Sequence, residues 1–266
     1  MDNIFSQLEI NKDRIKRISV VGAGGKTSII WNLAQEFVKE GKRVAITTTT
    51  HMYHPDYMKK NGFEVNWNFA EADNIKKCLE ASEDKGCVIT GITQFKSGEP
   101  YKISAVDNNW LSMLQMYFDV VLVEADGARN LPVKAYHSYE PVIASHSDKI
   151  IVVTGMSGAG QKICDVSYNK KRVCEILQKK ENDVLCIDDY KKLLIHEKGL
   201  LGKLFNFEYT KNHKYNADIC AVLNCAFMEK STYDMQRLIS SITQECMKKY
   251  NKRINVCLGD FKMNKL

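Results

Sequence analysis

Two glycines followed by a lysine and a threonine, within Gly22-Ala23-Gly24-Gly25-Lys26-Thr27-Ser28, are the residues in this chain best suited to chemistry. The chemistry they suit is polyphosphate binding. Glycines let a backbone curl around phosphate oxygens. Amides at a helix N-terminus point at an anion, which the helix dipole also favours. Lys26 is placed to reach the β- and γ-phosphates. The Thr27 hydroxyl is placed to ligate Mg²⁺, a cation that takes oxygen ligands. Ile18 to Val21 reads as a strand and the residues after Lys26 as a helix, which is the context such a loop needs. The expected ligand is a Mg²⁺-bound nucleoside triphosphate, ATP or GTP.

The spacing is not the full phosphate-loop pattern. That pattern wants a glycine five positions before the last one, and Val20 stands there. As a dinucleotide fingerprint, Gly-x-Gly-x-x-Gly, the motif fails at Thr27. A purely structural glycine turn leaves Lys26 and Thr27 unexplained. The shortened loop resembles the one in ATP-binding domains of the Mur-ligase type.

A second constellation is Val120-Val121-Leu122-Val123-Glu124-Ala125-Asp126-Gly127, an apolar strand ending in two acids one residue apart. Ligands of open parallel sheets sit at the carboxyl ends of the strands. The strand before Gly22 and the strand before Glu124 would deliver loop and acids to one edge. Lys26, Glu124 and Asp126 are therefore the expected catalytic residues, and Thr27, Glu124 and Asp126 the expected metal ligands. Thr47-Thr48-Thr49-Thr50-His51 follows another strand, and Thr49 and His51 are added as candidate phosphate or second-substrate contacts. Arg129 or Lys134 could reach phosphate, Glu140 a substrate, and Asn224 the base. The glycine-rich run 155–160 could line the pocket. His54 is the weaker of the two histidines in its region.

Positioning these residues requires a sheet. Strands are predicted at 18–21, 43–48, 86–90, 119–123, 149–154, 219–224 and 254–258. Helices are predicted at 27–38, 70–81, 107–117, 166–179 and 232–250. Gly41 closes the first helix. Continuous apolar strands such as 150–153 suit burial on both faces. The fold class is thus α/β, a mainly parallel sheet flanked by helices. Residues 1–266 read as one domain, with 93–105 as a hairpin or insertion and 180–216 as a possible small helical excursion.

The totals exclude several classes. The chain has 266 residues, 44% hydrophobic and 26% charged, with net charge +6 from scattered lysines. Such a surface is ordinary, and no zinc-finger or aromatic–basic pattern supports a nucleic-acid partner. Nine cysteines, without a Cys-x-x-Cys pair, lie partly in apolar runs and read as reduced core thiols. Neither a signal peptide nor a membrane span is apparent, so a cytoplasmic location is expected.

Taken in order, Val21-Gly22-Ala23-Gly24-Gly25-Lys26-Thr27, Thr47-Thr48-Thr49-Thr50-His51, Val123-Glu124-Ala125-Asp126-Gly127-Ala128 and Glu140-Pro141-Val142-Ile143 resemble the YqeC family of selenium-dependent hydroxylase accessory proteins. The resemblance implies a P-loop NTPase-like fold. It also implies a role in maturing selenium-containing molybdenum hydroxylases, with such a hydroxylase or its cofactor as partner. Three activities fit the residues. One is a Mg²⁺-dependent nucleotide hydrolase. The second is an ATP-dependent ligase or kinase that activates a small acid. The third is a nucleotide-gated chaperone without turnover.

Overall fold

Runs of valine and isoleucine set the frame. The computed structural model describes residues 3–206, 217–225 and 232–264. The seven predicted strands appear as β1 (Arg17–Gly22), β2 (Val44–Thr48), β5 (Cys87–Lys96), β7 (Val120–Glu124), β9 (Lys149–Gly155), β11 (Asp218–Asn224) and β12 (Asn255–Gly259). They pair in parallel in the order β12-β11-β9-β1-β7-β2-β5. β1, β2 and β7 are buried along their whole length, as strands covered on both faces must be.

Two apolar layers cover the sheet. On one face α1 (Ile4–Gln7) and α2 (Lys26–Lys39) pack against Ile18, Val20, Ile46, Leu122, Ile151 and Val153. On the other, Val21, Ala45, Val121, Val123 and Val152 meet a second group of helices. These are α4 (Ile75–Ser82), α5 (Asn108–Tyr117), α6 (Ile163–Val166), α7 (Lys170–Leu177), α8 (Ile187–Ile195), α9 (Leu200–Phe205) and α10 (Thr232–Tyr250). Period-two alternation along each strand sorts its residues between the two layers. The outcome is an α/β fold, a mainly parallel sheet between two helical layers, with the glycine loop joining a central parallel strand to the helix behind it.

The sheet is wider than expected. β6 (Glu99–Ser104) turns back antiparallel on β5, and β3 (His51–Tyr53) pairs antiparallel with β6. The turn between β5 and β6 is Ser97-Gly98, both with positive φ, as a two-residue hairpin requires. The 93–105 segment is therefore a hairpin. β4 (Asn68–Glu71) adds a parallel partner to β5, so the helix expected from residue 70 begins only at Ile75. Asn74 caps it by accepting from the Lys76 N–H at 2.9 Å.

The helix expected at 166–179 is interrupted. Ser167–Tyr168 forms β10, paired in parallel with β8 (Val133–Lys134), and Asn169 is left-handed at φ 61° before α7 starts. α3 (Pro55–Lys60) is capped by His54, whose ring accepts from the Asp56 N–H at 3.2 Å. His54 is buried against Phe69, and burial lowers its pKa, so its part is structural. The stretch 180–216 holds α8 and α9, which pack on each other and, through α8, on α10; 207–216 lie outside the described residues. No described helix is long and apolar enough to cross a membrane.

Candidate functional site

The loop after β1 is three residues long and tightly enclosed. Gly22 has φ +111°, and a Cβ there would lie 2.0 Å from the Val153 carbonyl oxygen. Gly25 has φ +138°, and its Cβ would lie 2.1 Å from Nδ2 of Asn224. No residue with a side chain meets these conditions. The Ala23 N–H donates to the Val153 carbonyl at 3.0 Å. The N–H groups of Gly24, Gly25, Thr27 and Ser28 have no carbonyl acceptor among the described hydrogen bonds. No side chain caps α2. Unpaired amides at a helix N-terminus are donors awaiting an anion.

Lys26 opens α2 and folds back over the loop. Its ammonium donates to the Gly22 carbonyl at 3.0 Å and stands 3.8 Å from Oε1 of Glu124, with both side chains over 90% buried. The Thr27 hydroxyl donates to Oε2 of the same carboxylate at 2.7 Å. Strand register explains the meeting, since Val20 of β1 lies beside Glu124 of β7. Two hard oxygens side by side fit Mg²⁺. Adjacent corners of an octahedron with bonds near 2.1 Å are about 3.0 Å apart. Among the described residues no cluster of three or more His, Cys, Asp or Glu could hold a metal. A cation here would take its remaining oxygens from phosphate and water, the usual habit of Mg²⁺.

Asp126 is placed differently. It is 1% exposed; one oxygen accepts from the Lys134 ammonium and Oδ2 is buried without a hydrogen-bond partner. Burial pushes its carboxyl pKa up, against the pull of Lys134 and Lys26. Lys134 also donates to the Gly127 carbonyl at 2.7 Å and to Glu140 at 3.0 Å, and sits about 5 Å from the ring centres of Tyr136 and Tyr168. Its three N–H groups are therefore spent, which removes it as a phosphate contact. Arg129 is exposed and lies over the Tyr168 ring.

The remaining candidates divide between the loop and the rest of the sheet edge. The Thr49 hydroxyl donates to the Val142 carbonyl, and the Thr48 hydroxyl to the Glu124 carbonyl at 2.7 Å. His51 is exposed on β3, separated from β1 by β7, β2, β5 and β6, and its ring pairs with Gln94 at 3.3 Å. Ser28 sits at the start of α2, where its carbonyl accepts from Asn32 at 2.8 Å. Gly155, from the glycine-rich run, touches Gly24 and Pro132 and so backs the loop. Asn224 braces the same loop. Its Nδ2 donates to the Gly24 carbonyl at 2.9 Å and the Phe261 carbonyl at 3.1 Å, and its Oδ1 accepts from the Phe261 N–H at 3.0 Å. A base-reading role does not fit a side chain so fully engaged.

The model of the family described as YqeC protein matches residues 18–170. An uncharacterized protein YqeC of Escherichia coli strain K12 is 31% identical over 187 residues, 68% of each chain. Among solved structures, the MinC:MinD cell division protein complex of Aquifex aeolicus aligns at TM-score 0.40 and 12% identity, over 90% of this chain and 79% of that one. FlhF complexed with GMPPNP and Mg²⁺ aligns at TM-score 0.37 and 11% identity, over 94% of this chain and 70% of that one. With more than half its length matched by the family model and a relative above 30% identity, the chain belongs to the YqeC family.

Proposed function

We propose that the chain binds a nucleoside triphosphate with Mg²⁺ at the phosphate loop and hydrolyses it. The observation that carries this reading is the meeting of Thr27 and Glu124 at 2.7 Å, with the Lys26 ammonium 3.8 Å from the same carboxylate. A loop lysine, a hydroxyl at the helix start and an acid from the neighbouring strand are the parts that phosphoryl transfer needs. The loop amides hold the β-phosphate. Lys26 exchanges the Gly22 carbonyl for β- and γ-phosphate oxygens. Thr27 and Glu124 would hold Mg²⁺, directly or through water, and the cation would supply neutralisation of the phosphate charge.

In the hydrolysis, a water oxygen bonds to the γ-phosphorus. The bond from that phosphorus to the bridging oxygen breaks, and its electron pair leaves on the diphosphate. Both water protons leave with the released phosphate, one of them passing on to solvent. Lys26 and the loop amides stabilise the charge that moves onto the bridging oxygen. On the family resemblance, this nucleotide chemistry serves the maturation of selenium-dependent molybdenum hydroxylases.

The test is calorimetric titration of ATP and GTP, with and without Mg²⁺, into the wild type, Lys26→Ala and Glu124→Gln. One lost charge-assisted hydrogen bond of about 1.5–3 kcal/mol weakens binding roughly 10- to 150-fold in Lys26→Ala. Glu124→Gln keeps an acceptor for Thr27 and loses the Mg²⁺ dependence. A folded wild type that binds neither nucleotide ends the proposal. Turnover seen only with an added acid acceptor replaces hydrolase with ligase or kinase, and tight binding without turnover replaces it with a nucleotide-gated chaperone.

A further inference from the structure

Glu124 ends β7 and Asp126 follows two residues later, yet they have different neighbours. Glu124 faces Thr27 and Lys26. Asp126 is gripped by Lys134, whose side chain is fully buried and whose other donors are fixed by the Gly127 carbonyl and Glu140. Glu140 is itself held, since its Oε2 accepts from the His137 N–H at 2.9 Å. β8 keeps Lys134 in place through its pairing with β10 and the hydrogen bond from the Gly155 N–H to the Pro132 carbonyl, 3.0 Å. The grip is therefore built into the backbone.

We infer that Lys134 is a positioning residue that holds Asp126 away from the cation and leaves Glu124 as the carboxylate that meets it. The inference rests on the Mg²⁺–nucleotide reading above. Two carboxylates free to converge on one cation would bind it without nucleotide, because affinity rises with ligand charge. Withdrawing one of them makes the cation depend on phosphate oxygens and so arrive with the triphosphate. Asp126 stands two residues after Glu124, so release from Lys134 frees it to turn toward the same cation.

The experiment is Mn²⁺ titration of the full chain without nucleotide, followed by electron paramagnetic resonance. Mn²⁺ stands in as a cation of similar oxygen preference. Lys134→Met should bind free Mn²⁺ roughly tenfold more tightly than wild type, by the added carboxylate, and Lys134→Met/Asp126→Asn should return to the wild-type value.

Lys134→Met leaves a buried carboxylate unpaired and risks misfolding. A second comparison therefore stands on its own. Asp126→Asn should keep Mg²⁺–nucleotide affinity within about twofold, while Glu124→Gln loses it, because only Glu124 ligates. Unchanged Mn²⁺ affinity in folded Lys134→Met, or equal damage from Asp126→Asn and Glu124→Gln, overturns the inference. Absence of Mg²⁺–nucleotide binding in the wild type overturns the underlying reading and this one with it, and is seen before any substitution is made.

Discussion

Replacing Asn224 tests whether the phosphate loop is held in shape from outside. The side chain is 3% exposed and makes three hydrogen bonds, to the Gly24 carbonyl and to both backbone groups of Phe261, at 2.9–3.1 Å. Asn224→Ala removes all three, at about 1 kcal/mol each. A loss of about 3 kcal/mol lowers the melting temperature of a chain this size by roughly 6–12 °C. Binding suffers separately. If the unbraced loop holds its anion-ready shape roughly a tenth of the time, apparent nucleotide affinity falls about tenfold. Asn224→Asp should bind worse than Asn224→Ala, because a carboxylate then faces the Gly24 carbonyl and the bound phosphates. Thermal melts and nucleotide titrations of the two variants measure both effects. Asn224→Ala melting within 1–2 °C of wild type, with affinity unchanged, would refute the brace.

Two further outcomes follow from burial. Lys203 donates to the carbonyls of His137, Ser138 and Glu140, and burial lowers its pKa to about 8 despite the opposing pull of Glu140. Below pH 8 the lysine is protonated in folded and unfolded chain alike, and the folded chain carries the desolvation cost. Between about pH 8 and 10.4 only the unfolded chain keeps the proton, so stability should rise through that window. Wild type should therefore gain melting temperature relative to Lys203→Met from pH 7.5 to about 10; no pH-dependent gain counts against the lowered pKa. Among the cysteines, Cys186 is exposed, whereas Cys78, Cys87, Cys220, Cys225 and Cys246 are buried. Burial pushes Cys220 up to about 12 and Cys246 to about 11. In the native protein Cys186 should give the fastest reaction with an aromatic disulfide reagent, lost in Cys186→Ser, while the five buried thiols react only after denaturation.

The parallel strands were readable because burial on both faces forces continuous Val and Ile runs, as in Val120 to Val123. The glycine loop was readable because only glycine tolerates the backbone angles of Gly22 and Gly25. The edge elements were not. β4 and the strand pair β10–β8 are two to four residues long and owe their form to partners distant in sequence. The helix expected across 166–179 failed at Asn169, whose left-handed backbone follows from where β10 must pair. Lys134 and Asn224 were legible as polar residues near strand ends, yet their tasks depend on partners such as Glu140 and Phe261 that periodicity does not announce. His51 and Thr49 were drawn toward the loop by their place after β2; the chain instead enters β3 and carries His51 to the far edge of the sheet.

The brace on the loop has a bearing on synthesis. Gly22 to Thr27 leave the ribosome early, but the groups that fix their shape are Val153, Gly155, Asn224 and Phe261. The family model ends at residue 170, short of the last two. A nascent chain that has emerged only to that point carries every recognisable motif without the clamp. On the nucleotide reading proposed above, capture would wait for β11 and β12, since contacts of such long sequence separation form slowly.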